Sequence, residues 1–595
     1  MPKVHSFHIP VMGIAFTIDT PIKVAHLGID SVISLVDDIL LEKLRKLYCS
    51  NFDIPYEEIS EKTHDFRAKR ISSYLNLINL IVDKKLDELK NTTQEKLNEL
   101  KEYFNLLPST SEIKQEFLKL TARNINIDEI KNWAHRNLYK GSIDVNIMTK
   151  LDKDNYSKGK KLSTEYNDAH AALRGFANSD LNASVVLSAG MNPRLYSYME
   201  NFEDFYPNEK GELKKKIILK VSDYRSALIQ GRFFAKKGLW VSEYRIESGL
   251  NCGGHAFATD GFLFGPILAE FKENREKLNQ LANEVLRKGL QQKNKIVPKE
   301  NMQFLITAQG GVGTSEEHQF LLNHYQMDSV GWGSPFLLVP EAVTIDKQTL
   351  KLLETCKEED LYLSNISPLG VPFNNLRRNT KDLEKLSLAT NGHLGSTCPK
   401  KYVATNNEFT EKYICPASKN YQKRKLKSIK EENLSSQEFD IQYNKMIEKS
   451  CICVGLGTPA LLVNNLNTKA EGPGVSVCPG PNLAYFSKEM SLKQMVDHIY
   501  GLSNQISRKD RPNMFIKELG LYVDYIKNLF LDKTKSNNND KKYLEAFIHN
   551  LNNGIQYYEG LFTELKDTFK ENTTQIFTDL ELYKKDLNLL YLRLQ

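Results

Sequence analysis

Eight short β-rich runs separated by helical stretches fill the first 340 or so residues, and this alternation narrows the fold more than any other property of the chain. The runs are 6–12, 31–36, 142–148, 184–188, 216–221, 238–244, 303–309 and 329–332. Most are apolar enough to be buried on both faces, as parallel strands are. Parallel strands need long crossovers, and helical connections fit between most of these runs. Thr20-Pro21 opens one helix, with threonine as N-cap and proline in the first turn. Residues 224–236 and 265–286 form two more. Eight strands with helical crossovers favour an α/β fold, a (β/α)8 TIM barrel, over an open sheet.

In such a barrel, function sits at the C-terminal ends of the strands. The last two ends are the most distinctive. The run 303–309 ends in Gln309-Gly310-Gly311-Val312-Gly313, and a helix opens at Thr314-Ser315-Glu316-Glu317. The run 329–332 breaks at Gly333-Ser334. Glycine turns at strand ends let backbone N–H groups approach an anion closely, so this pair suits a phosphate. Other ends supply Met12-Gly13, Lys220 and the stretch Glu247-Ser248-Gly249-Leu250-Asn251-Cys252-Gly253-Gly254-His255.

Three regions extend the minimal plan. Residues 1–345 hold the barrel, with a helical insertion at about 40–140 after the second strand. The insertion reads as a hairpin packed on the barrel or on a partner copy, with a lid over the site as the alternative. Residues 346–490 are loop-rich and carry cysteines, and 491–595 form an α-helical module. The net charge of +6, from 80 basic and 74 acidic residues, is small for this length and gives no case for nucleic acid. The basic run 419–430 reads first as a solvated helix face. No export leader and no apolar run of about 18 residues is present, so the expected location is the cytoplasm, with no membrane partner.

The strand-end motifs resemble the nitronate monooxygenase family, which is similar to the FMN-dependent enoyl reductases. Asn251–Cys252–Gly253–Gly254–His255 resembles the family's sixth-strand Gly-Gly-His motif. Gln309-Gly310-Gly311-Val312 resembles its seventh-strand turn, GWGSPFL at 331–337 its eighth, and Pro10–Val11–Met12–Gly13 its first. The resemblance covers residues 5–345. It implies FMN held by Met12, Gly13, Lys220, Gly253, Gly254, Gln309, Gly310, Gly311, Gly333 and Ser334. Lys220 would place positive charge near the reduced ring. It also implies His255 as the acid/base on a small organic substrate, with Cys252 as a second catalytic candidate. An NAD(P)H-dependent enoyl-thioester reductase, fed by an acyl carrier, is the alternative enzyme. A non-catalytic flavin-binding scaffold is the alternative class, and the helical regions offer surface for a homo-oligomer. Two departures stand out: Asn251 replaces the family glutamate, and Cys252 its small residue.

Five of the eight cysteines, Cys398, Cys415, Cys451, Cys453 and Cys478, lie within 398–478, and three of them precede proline. Without an export signal, thiol or metal chemistry is a better reading than disulfides. The spacing matches no standard ferredoxin run and has no paired C-x₂-C knuckle. Inert thiols therefore stand beside a metal reading, with an iron–sulfur cluster ahead of zinc.

Overall fold

The computed structural model describes residues 3–122, 126–188, 190–251, 254, 260–531, 538–565 and 573–594. Eight parallel strands close into one barrel. They are β1 (Phe7–Ile9), β2 (Asp30–Ser34), β3 (Ile143–Ile147), β4 (Ala183–Leu187), β5 (Lys215–Val221), β6 (Val241–Glu247), β7 (Leu305–Gln309) and β8 (Ser329–Gly331). All eight expected strands are present, in the expected order. β1 is shorter than the sequence suggested; Pro10, which has no N–H to give to a ladder, follows its last residue. β6 lies three residues later than expected, which puts Glu247 at its end.

The barrel interior is unusually polar. TIM barrels are normally filled by branched apolar side chains. Here the apolar filling is a small group, Val32, Val186 and Ile218, with Val11 against it. Strand pairing and the two-residue alternation put His8, Asp144, Asn146, Glu243, Arg245, Thr307 and Gln309 on the same inner face. Arg245 pairs with Glu243 at 2.7 Å, and Thr307 Oγ1 donates to the same carboxylate at 2.6 Å. Below them a cavity of about 460 Å³ opens at the N-terminal end, lined by Asp30, Asp144, Lys216 and Glu243. Burial raises the Asp30 pKa to about 6.

The insertion contributes two long helices, Asp38–Asn51 and Phe66–Lys90, to the barrel's outer layer. Its remaining helices build a satellite core around Tyr103, Phe104, Phe117 and Trp133. That core packs on Val4 and Leu27, which precede β1 and β2. It therefore covers the N-terminal end of the barrel, away from the strand ends that carry function.

The chain after 345 folds over the opposite face. Ala15, beyond β1, donates its N–H to Leu456 O at 2.9 Å. Asp37, beyond β2, is bonded by Lys400 and Tyr402. Gly480 N donates to Ser334 Oγ, beyond β8, at 2.7 Å. One continuous hydrophobic core includes Phe7 of the barrel, Val477 of the cysteine-bearing region and Leu587 of the last helix. No described helix is long and apolar enough to cross a membrane.

Candidate active site at the barrel mouth

At the ends of β5, β6 and β7, four side chains meet. Glu247 accepts from Lys220 Nζ at 2.9 Å, from Gln309 Nε2 at 2.9 Å and from Asn251 Nδ2 at 2.5 Å. Gln309 Nε2 also reaches Asn251 Oδ1 at 3.1 Å. Lys220 and Glu247 are each about one-sixth exposed, so their ion pair opens to the mouth. Lys220 is therefore neutralised in part by Glu247. Asn251 is held by the carboxylate of Glu247, the last residue of β6.

The inner wall beside this group is His8. A Cβ on Gly331 would lie 2.6 Å from Gln309 Cβ and 2.9 Å from His8 Nε2, so only glycine leaves room for the two side chains. Burial, then the charges of Arg245 and Lys3, holds His8 well below its ordinary pKa, and the imidazole is neutral at pH 7. Across the barrel, Asn146 Oδ1 on β3 is buried and has no hydrogen-bond partner among the described residues. A buried amide oxygen left unmatched in a polar mouth needs a donor, from water or from a ligand.

The glycine turns are only partly open. Gly310 and Gly333 are half-buried, whereas Gly311, Gly313 and Ser334 are buried. Gly310 packs on the Asn251 backbone and Gly311 on the Leu250 side chain. Gly313 N donates to Glu317 Oε2 at 2.9 Å, and Thr314 Oγ1 caps Glu317 N at 3.1 Å. Arg511 forks onto Glu317 and donates to Gly311 O at 2.9 Å, while Asn482 Nδ2 donates to Val312 O at 2.7 Å. The chain's own C-terminal region thus closes the far side of the cradle. On the near side, Gly310 and Gly333 stay half-buried. Together with the cation at Lys220 and the orphaned acceptor at Asn146, these residues fit a phosphate-bearing, hydrogen-bonding cofactor such as FMN.

Met12 is fully buried and donates its N–H to Thr17 Oγ1 at 3.2 Å, so it contributes core as well as wall. Gly13 has φ +54, and a Cβ there would meet Phe16 at 2.8 Å. Cys252, Gly253 and His255 lie outside the described residues. Gly254 is described. Its φ is +86, and its carbonyl accepts from Asn374 N at 2.6 Å. A Cβ at Gly254 would sit 2.3 Å from the Phe373 ring, which is itself buried. Gly254→Ala is therefore expected to lower stability by about 1–3 kcal/mol through overpacking, read as a lower urea midpoint at constant m-value.

Sequence reasoning missed Glu518. This buried carboxylate, on the helix Met514–Leu531, accepts from Ser248 Oγ and Gly249 N, each at 2.8 Å, and from Phe264 N at 2.7 Å. It grips the chain on both sides of the segment that contains His255. A signal was present, since a lone glutamate among Phe515, Leu519 and Tyr522 stands on an otherwise apolar helix face.

Beside the mouth, a cleft of about 1480 Å³ runs from the ends of β3 and β4 to the cysteine-bearing region. Thr149, Asp152 and Asn192 line one wall and Cys398, Lys401 and Cys415 the other. Cys398 accepts the Lys401 N–H and is drawn toward the thiolate by Cys451, Cys453 and backbone donors, whereas burial pushes Cys415 up to about 12. The basic run forms the helix Lys419–Glu431, and Lys419 and Lys423 face this cleft.

Neither a protein-family model nor a curated protein matches the chain. Solved structures that resemble it include FabK from Thermotoga maritima, at 12% identity over 69% of this chain and 86% of that one, with a TM-score of 0.30. The enoyl reductase domain of MlnA from Bacillus amyloliquefaciens gives 15% identity over 68% and 89%, with a TM-score of 0.34. Nitroalkane oxidase from Streptomyces ansochromogenes gives 10% identity over 63% and 83%, with a TM-score of 0.28. The barrel assignment stands on the closed strand order itself.

Proposed function

We propose that the chain is an FMN-dependent oxidoreductase acting on a small organic substrate at the C-terminal mouth of the barrel. The observation that carries this reading is the group Lys220, Glu247, Asn251 and Gln309, with two half-buried glycine turns and, across the barrel, an Asn146 oxygen unmatched among the described residues. Gly310 and Gly333 would hold the phosphate through backbone N–H groups. Lys220 would face the ring with its charge balanced by Glu247. Bound flavin supplies the electron transfer, and the protein orients and protonates. His255 would take the substrate proton as general base, and Cys252, three residues earlier in the sequence, is the second catalytic candidate. The nitronate monooxygenase type of oxidation is the leading reaction.

The cleft favours one alternative. Lys153, Arg194, Lys412 and Lys423 line it, which suits an anionic substrate such as a carrier-borne enoyl thioester reduced by NAD(P)H.

The visible spectrum of the purified full-length protein tests the cofactor. A yellow protein that releases FMN on denaturation is expected. A colourless protein that takes up no added FMN would sink the reading and leave a scaffold. Oxygen uptake on nitroalkanes, set against enoyl-thioester-dependent NAD(P)H oxidation, then separates the two reactions.

A further inference from the structure

Two thiols of one segment and a third from a separate loop converge. The Sγ atoms of Cys398, Cys451 and Cys453 all lie within 4.8 Å of one another. Each position is fixed from outside the group. Cys451 precedes the short helix Ile452–Gly455, whose end is tied to the barrel through Leu456 O and to Ser476 through Gly455 O. Cys398 sits in a turn that directs the Lys401 N–H at its sulfur, 3.3 Å away. Two residues on, Lys400 is locked onto Asp37. No disulfide joins Cys398, Cys451 or Cys453, so none explains the convergence.

Three sulfurs this close are poor partners for one another. A neutral thiol is a weak donor and a weak acceptor, and adjacent thiolates repel. A cation at their centre removes both problems. Sulfurs bound to one tetrahedral zinc ion at ~2.3 Å stand about 3.8 Å apart, inside the observed limit. An iron–sulfur cube puts each thiolate on a different iron and so spreads the thiolates wider. The spacing thus favours a single ion and reverses the preference drawn from sequence. Thiolate ligands select zinc over the harder divalent ions.

The fourth position follows from the burial pattern. Cys451 and Cys453 are buried, while Cys398 is half-exposed on the wall of the large cleft. Cys415 lines the same wall but stands outside the group of three. Cys478 is buried and is also outside it. We propose that Cys398, Cys451 and Cys453 hold one zinc ion whose fourth coordination position opens into the cleft, where water or an anionic ligand completes it. Binding would release the thiol protons to solvent and strap the Cys398 turn to the Cys451–Cys453 segment.

The test uses the reduced full-length protein incubated with zinc chloride and then desalted. One zinc per chain is expected, with Cys398, Cys451 and Cys453 protected from alkylation until a chelator is added. Mass spectrometry of the alkylated peptides reads this in the unmutated protein, so no variant has to fold. Cys451→Ser and Cys453→Ser should weaken zinc by more than the roughly 10–100-fold typical of losing a ligand's hydrogen-bond partner. Cys415→Ser should keep the ion. Absence of bound zinc, unprotected thiols, or iron and sulfide taken up in its place would overturn the proposal. Loss of zinc in Cys415→Ser would replace the open site with a closed four-thiolate one.

Discussion

Lys400→Ala is expected to lower the unfolding free energy by about 3–5 kcal/mol. Lys400 and Asp37 are 1% and 0% exposed and form an ion pair. The Asp37 carboxylate also accepts from Leu40 N at 2.9 Å and Tyr402 OH at 3.0 Å. Those two neutral donors remain after the substitution, but the counter-charge does not. Glu471, 4.0 Å from the same ammonium, loses its influence as well. A carboxylate stranded in the interior costs far more than the pair contributes over an apolar replacement. The double variant Asp37→Asn with Lys400→Met should therefore recover part of the loss. Urea unfolding reads both values, and additive costs would show that the two side chains act independently.

The same pair shows where the sequence was legible and where it was not. The strands could be read because parallel strands are buried on both faces and carry runs of β-branched residues. β6 was misplaced for a related reason. Its residues SEYRIE look like loop, yet in the polar barrel Glu243 pairs with Arg245, and Glu247 pairs with Lys220 of β5. The apolar Leu239-Trp240 just before it drew the expected strand N-terminal. The glycine turns were found, but their closure was not. Arg511 and Asn482 reach them from about 200 and 170 residues away, and nothing local marks that contact. The three-thiol group has the same character. Cys451 and Cys453 share a segment, but Cys398 joins them only through the fold. The helical character of the insertion was legible, whereas the end of the barrel that its satellite core covers was not.

Glu518→Ala should have an effect of similar size on stability and a further one on turnover. The carboxylate receives two backbone N–H groups, of Gly249 and Phe264, and the Ser248 hydroxyl. Alanine leaves the buried Phe264 N–H and the half-buried Gly249 N–H without this partner, at up to about 1–3 kcal/mol each, while the hydroxyl can turn elsewhere. The expected cost is therefore about 2–6 kcal/mol. The two backbone donors flank the chain that carries the proposed base His255, and such a group acts only when held in its productive geometry. Turnover per flavin should fall even at temperatures where the variant remains folded. Glu518→Gln offers a finer reading. Its remaining oxygen can serve Ser248 and Gly249, whereas its amide N–H₂ group faces the Phe264 N–H. It should lie between wild type and alanine in both stability and turnover. If both variants lose stability while turnover per flavin stays at the wild-type level, Glu518 holds the fold together and does not position His255. If turnover follows the loss of the Phe264 contact, the C-terminal helix is part of the machinery of the barrel mouth, and the reaction depends on a region that a minimal barrel lacks.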